Sequence, residues 1–221
     1  MLSHPVEAVM LDMDGTLFDT ERLYIEAMRE TARAMDREMT VEFGHSMVGL
    51  PALECNLLIR DLYGEDFSIT EFRARYAPIL RQRLADGMPL KPGAVELLVF
   101  LKARGLPAAL VTSAQRVFAE SHLRKANLFD HFAVITTCDD VKRPKPAPDI
   151  YLEAARRLGV APERCVAIED SSVGLAAAHA AGTMAFMVPD ILQPTAECRA
   201  MCIDVLPDLH AALTILRTSL P

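Results

Sequence analysis

The sequence predicts an α/β protein: a Rossmann-like parallel sheet with helices on both faces, carrying an inserted helical cap domain. Three observations predict it. Short apolar runs alternate with helical patterns from about residue 93 onward, acidic and hydroxyl residues stand at the ends of those runs, and the stretch from about 20 to 90 reads as helix alone. A chain of 221 residues has room for one domain with a large insertion or two small ones. It is long enough to bury a core without disulfides or metal staples.

The first strand candidate is Val6 to Leu11, ending at Asp12. Similar runs recur at Pro107–Val111, Ala133–Thr137, Cys165–Ile168 and Thr183–Val188. Between the later runs, Pro148 sits just inside a helix start, Ile150, Ala154 and Leu158 share a face, and Gly159 follows the end, the Pro-start, Gly-stop asymmetry of helices. Ser171 or Ser172 can cap the next helix and Gly182 closes it. Strands alternating with helices imply a parallel sheet. In the insertion, Leu23, Ala27, Thr31, Ala34 and Met35 line one helix face. Leu53, Leu57 and Leu58 suggest a second helix, and Phe72, Tyr76, Ile79, Leu80 and Arg83 a third. The crossings are expected at Phe18–Asp19 and Met88–Gly93, so that 1–18 and 91–221 form a Rossmann-like core and 19–90 an inserted helical domain. Asp208 to Leu216 reads as a last amphipathic helix.

Composition excludes several partners. The net charge is −7 and no dense basic run stands out, which argues against nucleic acid. No stretch approaches the about 18 apolar residues of a membrane span. Met1 to Pro5 lacks the basic region and apolar run of a secretion signal. Five cysteines without a C-x-x-C pair point to a reducing, cytoplasmic setting. The oligomeric state is left open, with a monomer the working expectation. His45, His122 and His179 show no metal-ligand spacing, and Cys198-x-x-x-Cys202 lacks the two further ligands a zinc site needs. The eleven methionines are read as gap-fillers of the core and cap.

Four segments carry chemistry. Asp12-Met13-Asp14-Gly15-Thr16 follows the first strand, at the end where parallel sheets bind ligands, and Gly15 lets the backbone approach closely. Thr112-Ser113 ends the second strand with a hydroxyl and free amides suited to a phosphate oxygen. Lys145 stands among three prolines, Pro144, Pro146 and Pro148, as a point charge for a phosphate or a carboxylate pair. Glu169-Asp170 ends the strand Cys165–Ile168, and two acids there suit a hard cation such as Mg²⁺. Each segment alone also reads as a polar turn, a helix cap or a solvated lysine.

Together and in this order, Asp12/Asp14, Thr112, Lys145 and Glu169/Asp170 resemble the haloacid dehalogenase superfamily of phosphotransferases and phosphatases, in its helical-cap branch of phosphatases and β-phosphoglucomutases. The resemblance implies a Mg²⁺-dependent phosphatase of a small phosphorylated metabolite. Asp12 would be the nucleophile that forms an aspartyl phosphate, and Asp14 the general acid and then base. Asp12, held by Mg²⁺ and Lys145, would stay ionised. Gly15, Thr16, Thr112, Ser113 and Lys145 would bind the phosphoryl group. Asp12, the Asp14 carbonyl, Asp170 and Glu169, directly or through water, would hold the metal. Dehalogenases of similar fold lack the metal and the second Asp, whereas Asp14, Glu169 and Asp170 are all present here.

The cap is expected to choose the substrate. Mutases carry a cap-entry His and a cap Arg; here Tyr24 aligns with the former and Ala52 or a neighbour with the latter, which favours a phosphatase over a phosphosugar mutase. Arg60, Arg73, Arg81 or Arg83 could supply a cap positive charge, but solvated faces of cap helices are the favoured reading. Asp19–Tyr24 and Met187–Asp190 resemble pseudouridine-5′-phosphatases, with phosphoglycolate and sugar-phosphate phosphatases as competitors. A catalytically silent binding protein is disfavoured because no catalytic position is lost.

Overall fold

Short apolar runs form six parallel strands among the residues described by the computed structural model, which are 2–48, 52–85 and 87–219. They are β1 (Ala8–Leu11), β2 (Ala108–Val111), β3 (Val134–Thr136), β4 (Cys165–Glu169), β5 (Met184–Met187) and β6 (Asp204–Val205). Every residue of β1, β2, β4 and β5 is buried, which explains why they read as continuous apolar runs and not as alternating ones. The sheet order is β3-β2-β1-β4-β5-β6. The chain therefore builds outward from β1 in one direction, then returns and builds outward from β4 in the other. The crevice beyond the carboxyl ends of β1 and β4 is the topological switch point, where sheets of this kind bind ligands.

The helices of this unit are α5 (Ala94–Ala103), α6 (Arg116–Lys125), α7 (Asp149–Leu158), α8 (Ser172–Ala180), α9 (Ala196–Met201) and α10 (Leu209–Ser219). Ala8, Met10, Ala109, Val111 and Ala167 share one core with Ile150, Tyr151 and Ala154 of α7 and Leu175, Ala177 and Ala178 of α8. The alternate residues Val9, Leu11 and Leu110 are equally buried, as are Leu97, Leu98 and Leu101 of α5 and Leu209, Leu213 and Leu216 of α10. Both faces of the sheet are therefore covered. Gly159 closes α7 in the left-handed conformation at φ 69°, and the Ser171 hydroxyl caps α8 by accepting the Gly174 amide. Pro148 is the N-cap of α7, one residue earlier than its expected place inside the helix.

The helices of the insertion are α1 (Thr20–Arg33), α2 (Val41–His45), α3 (Ala52–Tyr63) and α4 (Ile69–Ala85). The chain divides into two compact units, 1–19 with 89–221 and 20–88. The helical unit has its own core of Ala32, Met39, Met47, Ile59, Phe67 and Phe72. Arg83 of α4 is tied to α1 through Glu26 at 3.0 Å and Glu30 at 2.7 Å. At the crossings, the Asp19 amide donates to Pro89 O and the Lys91 amide to Leu17 O, each at 2.9 Å, and Phe18 and Leu90 form an antiparallel bridge.

Several expectations for the helices are corrected. Leu53 and Leu57 are 71% and 51% exposed, and Ile59 takes the core position of α3. Ala34 is exposed while Ala32 is buried. Cys198 lies buried in α9, and Cys202 is the C-cap residue beyond its end. Gly49, Leu50 and Pro51, among the neighbours of Ala52 in the cap-arginine alignment, lie outside the described residues. No described helix is long and apolar enough to cross a membrane.

Candidate active site

The site begins where β1 stops. The Asp12 amide donates to Ile168 O at 3.1 Å, extending the β1–β4 ladder by one bond and setting Asp12 beside the end of β4. The chain then turns back on itself, with the Leu17 and Phe18 amides both donating to Met13 O. Gly15 makes that turn at φ 82°, and a Cβ there would stand 2.3 Å from Asp170 Oδ2. Its glycine is thus required both by conformation and by the approach of Asp170. Thr16 donates its hydroxyl to Asp170 Oδ1 at 3.2 Å.

Lys145 sits at the centre. Its Nζ donates to Asp12 Oδ1 and Glu169 Oε1, both at 2.6 Å, and to Val111 O at 3.0 Å. The side chain is 4% exposed and Glu169 wholly buried. Burial works against the ammonium charge, but Asp12 and Glu169 outweigh it and hold the Lys145 pKa above its ordinary value. The loop that delivers Lys145 is pinned by Asp140, whose carboxylate accepts from Arg116, Arg157 and the Thr137 amide and hydroxyl.

Asp12, Glu169 and Asp170 bring carboxylate oxygens within 4.8 Å of one another. Burial chiefly, then Glu169 and Asp14, push Asp12 up to about 8, against the pull of Lys145. Burial, Asp12 and Glu169 likewise push Asp170 well above its ordinary range. Lys145 pulls the Asp12 pKa down but does not offset its burial, so the expectation that Asp12 stays ionised rests on a cation as well as on Lys145. Two buried acids and the half-buried Asp170, answered by one ammonium, lack positive charge, which an oxygen-seeking divalent cation would supply. The donor set fits Mg²⁺ on that ground.

Thr112 ends β2, beside Val111 whose carbonyl holds Lys145. Its hydroxyl accepts the Ala114 amide at 3.0 Å and keeps its own proton for another acceptor. Ser113 is exposed and Asp14 half-buried. Asp12, Gly15, Thr16, Lys145, Glu169 and Asp170 are thus joined by direct contacts, with Thr112 at the adjoining strand end.

A model of the haloacid dehalogenase-like hydrolases matches residues 6–182. The chain belongs to this family. It is 36% identical over 177 residues to a phosphorylated carbohydrates phosphatase of Thermotoga maritima, covering 80% of this chain and 82% of that one. It is 35% identical over 187 residues to a "probable pseudouridine-5′-phosphatase" of Drosophila melanogaster, covering 82% and 80%. Among solved structures, one from Thermotoga maritima described as a candidate β-phosphoglucomutase superposes with a TM-score of 0.83 at 32% identity, covering 96% of this chain and 99% of that one. The chain is a phosphoric monoester hydrolase of the haloacid dehalogenase-like family.

Two residues of the site read as plain packing in the sequence. Tyr151 lies in the apolar face of α7, yet its hydroxyl donates to Glu169 Oε1 at 2.6 Å, and Lys145 Nζ stands 5.3 Å above its ring centroid. The one available signal is that a tyrosine in an otherwise apolar stripe needs a partner for its hydroxyl. Gly174, inside α8, is the second: a Cβ there would lie 2.1 Å from both carboxylate oxygens of Glu169. Helix propensity alone favours alanine over glycine by about 1 kcal/mol. Gly174→Ala is nevertheless expected to destabilise the protein by about 2 kcal/mol, because the buried carboxylate must shift away from Lys145 and Tyr151. Urea unfolding checks this, and a variant as stable as the parent shows that Glu169 has another seat.

Proposed function

We propose that the protein is a Mg²⁺-dependent phosphatase that hydrolyses a small phosphorylated metabolite through an aspartyl phosphate on Asp12. The observation that carries this reading is the position of Lys145 Nζ, 2.6 Å from both Asp12 Oδ1 and Glu169 Oε1, at the end of the sheet where Asp170 completes an acidic cluster. That arrangement holds one carboxylate ready beside positive charge where a phosphoryl group can enter.

In this reading Asp12 attacks phosphorus through a carboxylate oxygen, and the ester oxygen departs with a proton from Asp14. Asp14 then takes a proton from the water that cleaves the aspartyl phosphate, releasing inorganic phosphate and restoring Asp12. Lys145 offsets the charge on the phosphoryl oxygens, while the Thr112 hydroxyl and Ser113 amide orient them. Asp12, Asp170, Glu169 and the Asp14 carbonyl would hold Mg²⁺, which supplies Lewis-acid polarisation of a phosphoryl oxygen. The helical unit is assigned as the substrate-selecting cap. The names of the relatives favour phosphorylated carbohydrates or nucleoside-like phosphates as substrates. The absence of C-x-x-C pairs suits a cytoplasmic setting.

The test is release of phosphate from p-nitrophenyl phosphate, expected to need Mg²⁺ and to stop with EDTA. A panel of sugar and nucleoside monophosphates then ranks substrates. A phosphosugar mutase would instead interconvert sugar phosphates with little phosphate release, and would need a bisphosphate activator. Hydrolysis that persists after full metal removal overturns the Mg²⁺ assignment.

A further inference from the structure

We infer that Asp190 is an outer carboxylate of the metal centre, holding a water ligand of the cation with Lys91 as its anchor. The inference rests on the proposed Mg²⁺ site and extends it to two residues outside the segments that define that site.

The first observation is placement. Met187 pairs in register with Glu169, and the Val188 amide donates to Glu169 O at 2.7 Å. Pro189 and Asp190 therefore leave the sheet at the same edge as Asp170, one strand over. The second observation concerns the carboxylate itself. The Asp190 side chain is only 9% exposed, and its Oδ1 accepts Lys91 Nζ at 2.6 Å. Its Oδ2 is equally buried and has no hydrogen-bond partner among the described residues. An asparagine would still offer Lys91 one oxygen, though without the charge. A carboxylate keeps a second anionic oxygen that needs a donor.

Lys91 is itself held from the other side of the site. Its amide donates to Leu17 O, next to Thr16, whose hydroxyl reaches Asp170. Asp190 lies outside the group of acids whose oxygens gather within 4.8 Å, so it is not placed to ligate a cation shared by them. A donor that belongs between an inner cluster of acids and an outer bare carboxylate is water bound to the cation. Mg²⁺ sheds water reluctantly and keeps several waters, and acceptors for those waters orient the shell. Asp190 also borders a cavity of about 400 Å³ lined by Gln193 and Arg199, which offers the rival explanation that Oδ2 serves something entering from there.

The experiment is calorimetric titration of the metal-free full chain with Mg²⁺ and, separately, with Ca²⁺, together with thermal unfolding without metal. Asp190→Asn is expected to weaken Mg²⁺ binding by about tenfold or more. It should weaken Ca²⁺, which replaces water with protein oxygens more readily, much less, and leave the metal-free melting temperature unchanged or higher. Lys91→Met, which strips the anchor from Asp190, should lower the metal-free melting temperature and enlarge the rise that Mg²⁺ produces. Asp190→Asn with Mg²⁺ affinity within twofold of the parent overturns the inference, as does an equal loss for both cations, which marks a purely structural role. If Asp190→Asn fails to fold, Lys91→Met decides alone, and an unchanged Mg²⁺ response refutes the pairing. A parent protein that binds no Mg²⁺ fails at the earlier step and removes the metal site together with this extension of it.

Discussion

Asp12→Asn is expected to lower turnover by about 10⁴-fold or more while giving a metal-free protein at least as stable as the parent. The loss follows from chemistry, since an amide oxygen is a poor nucleophile for phosphorus and cannot form the acyl phosphate. The retained stability follows from the site. Lys145 keeps its bonds to Glu169 and Val111 O, and the near-isosteric amide still offers an oxygen to the ammonium. One of the three crowded acids has lost its charge. The pH dependence carries the signature. The carboxyl of Asp12 is raised in the folded chain from 3.8 to about 8, so folding favours its protonated form. Its stabilising contribution is full below about pH 4 and is lost as pH rises through about 8. Asp170 is raised in the same direction. The metal-free parent should therefore lose melting temperature relative to Asp12→Asn between pH 5 and pH 8, and saturating Mg²⁺ should return it at pH 8. Turnover within tenfold of the parent rules out a covalent route through Asp12. A melting difference that stays flat with pH rules out the electrostatic account of the cluster.

The strands were legible because burial on both faces leaves an apolar run with a polar stop, as at Ala8–Leu11 before Asp12 and Cys165–Ile168 before Glu169. The edge strand Asp204–Val205 was not, being two residues long with Asp204 exposed, a pairing that depends on its neighbour β5 and not on local pattern. Periodicity identified α3 but not its inner face. Apolar residues lie all round that helix, and the hydrophobic period cannot choose Ile59 over Leu53 or Leu57. The meeting of Asp12 with Glu169 and Asp170 was suggested by acids at strand ends, since parallel topology collects strand ends at one edge, whereas the place of Lys145, in the loop before α7, followed from the family resemblance. Tyr151 and Gly174 stayed hidden because each fits its helix without reference to Glu169. Lys91 and Asp190 stayed hidden for the opposite reason. They are 99 positions apart, and each alone looks like a solvated loop charge.

Lys145→Met should be the most damaging single change to both stability and activity. The substitution keeps length and apolar stem but removes the one ammonium that answers Asp12 and Glu169 in a site where the side chain is 4% exposed. Breaking a buried pair by deleting one partner leaves uncompensated charge and costs about 3–5 kcal/mol, which for a chain of this size lowers the melting temperature by roughly 10 °C. The cost is conditional on charge. At pH 5 the raised Asp12 carboxyl is largely protonated in the metal-free protein, and fewer anions call for the ammonium. The gap between variant and parent should therefore narrow at pH 5 and widen toward pH 8. Lys145→Arg should not restore function, because the planar fork is wider than the ammonium and the Tyr151 ring, with its centroid 5.3 Å from Nζ, closes one side of the space. Melting curves of the metal-free proteins at the two pH values, with phosphate release assayed alongside, decide the matter. An equal drop at both pH values means that Lys145 contributes packing alone, and the charge balance proposed for the site, on which the reactivity of Asp12 depends, would then have to be held by the cation without it.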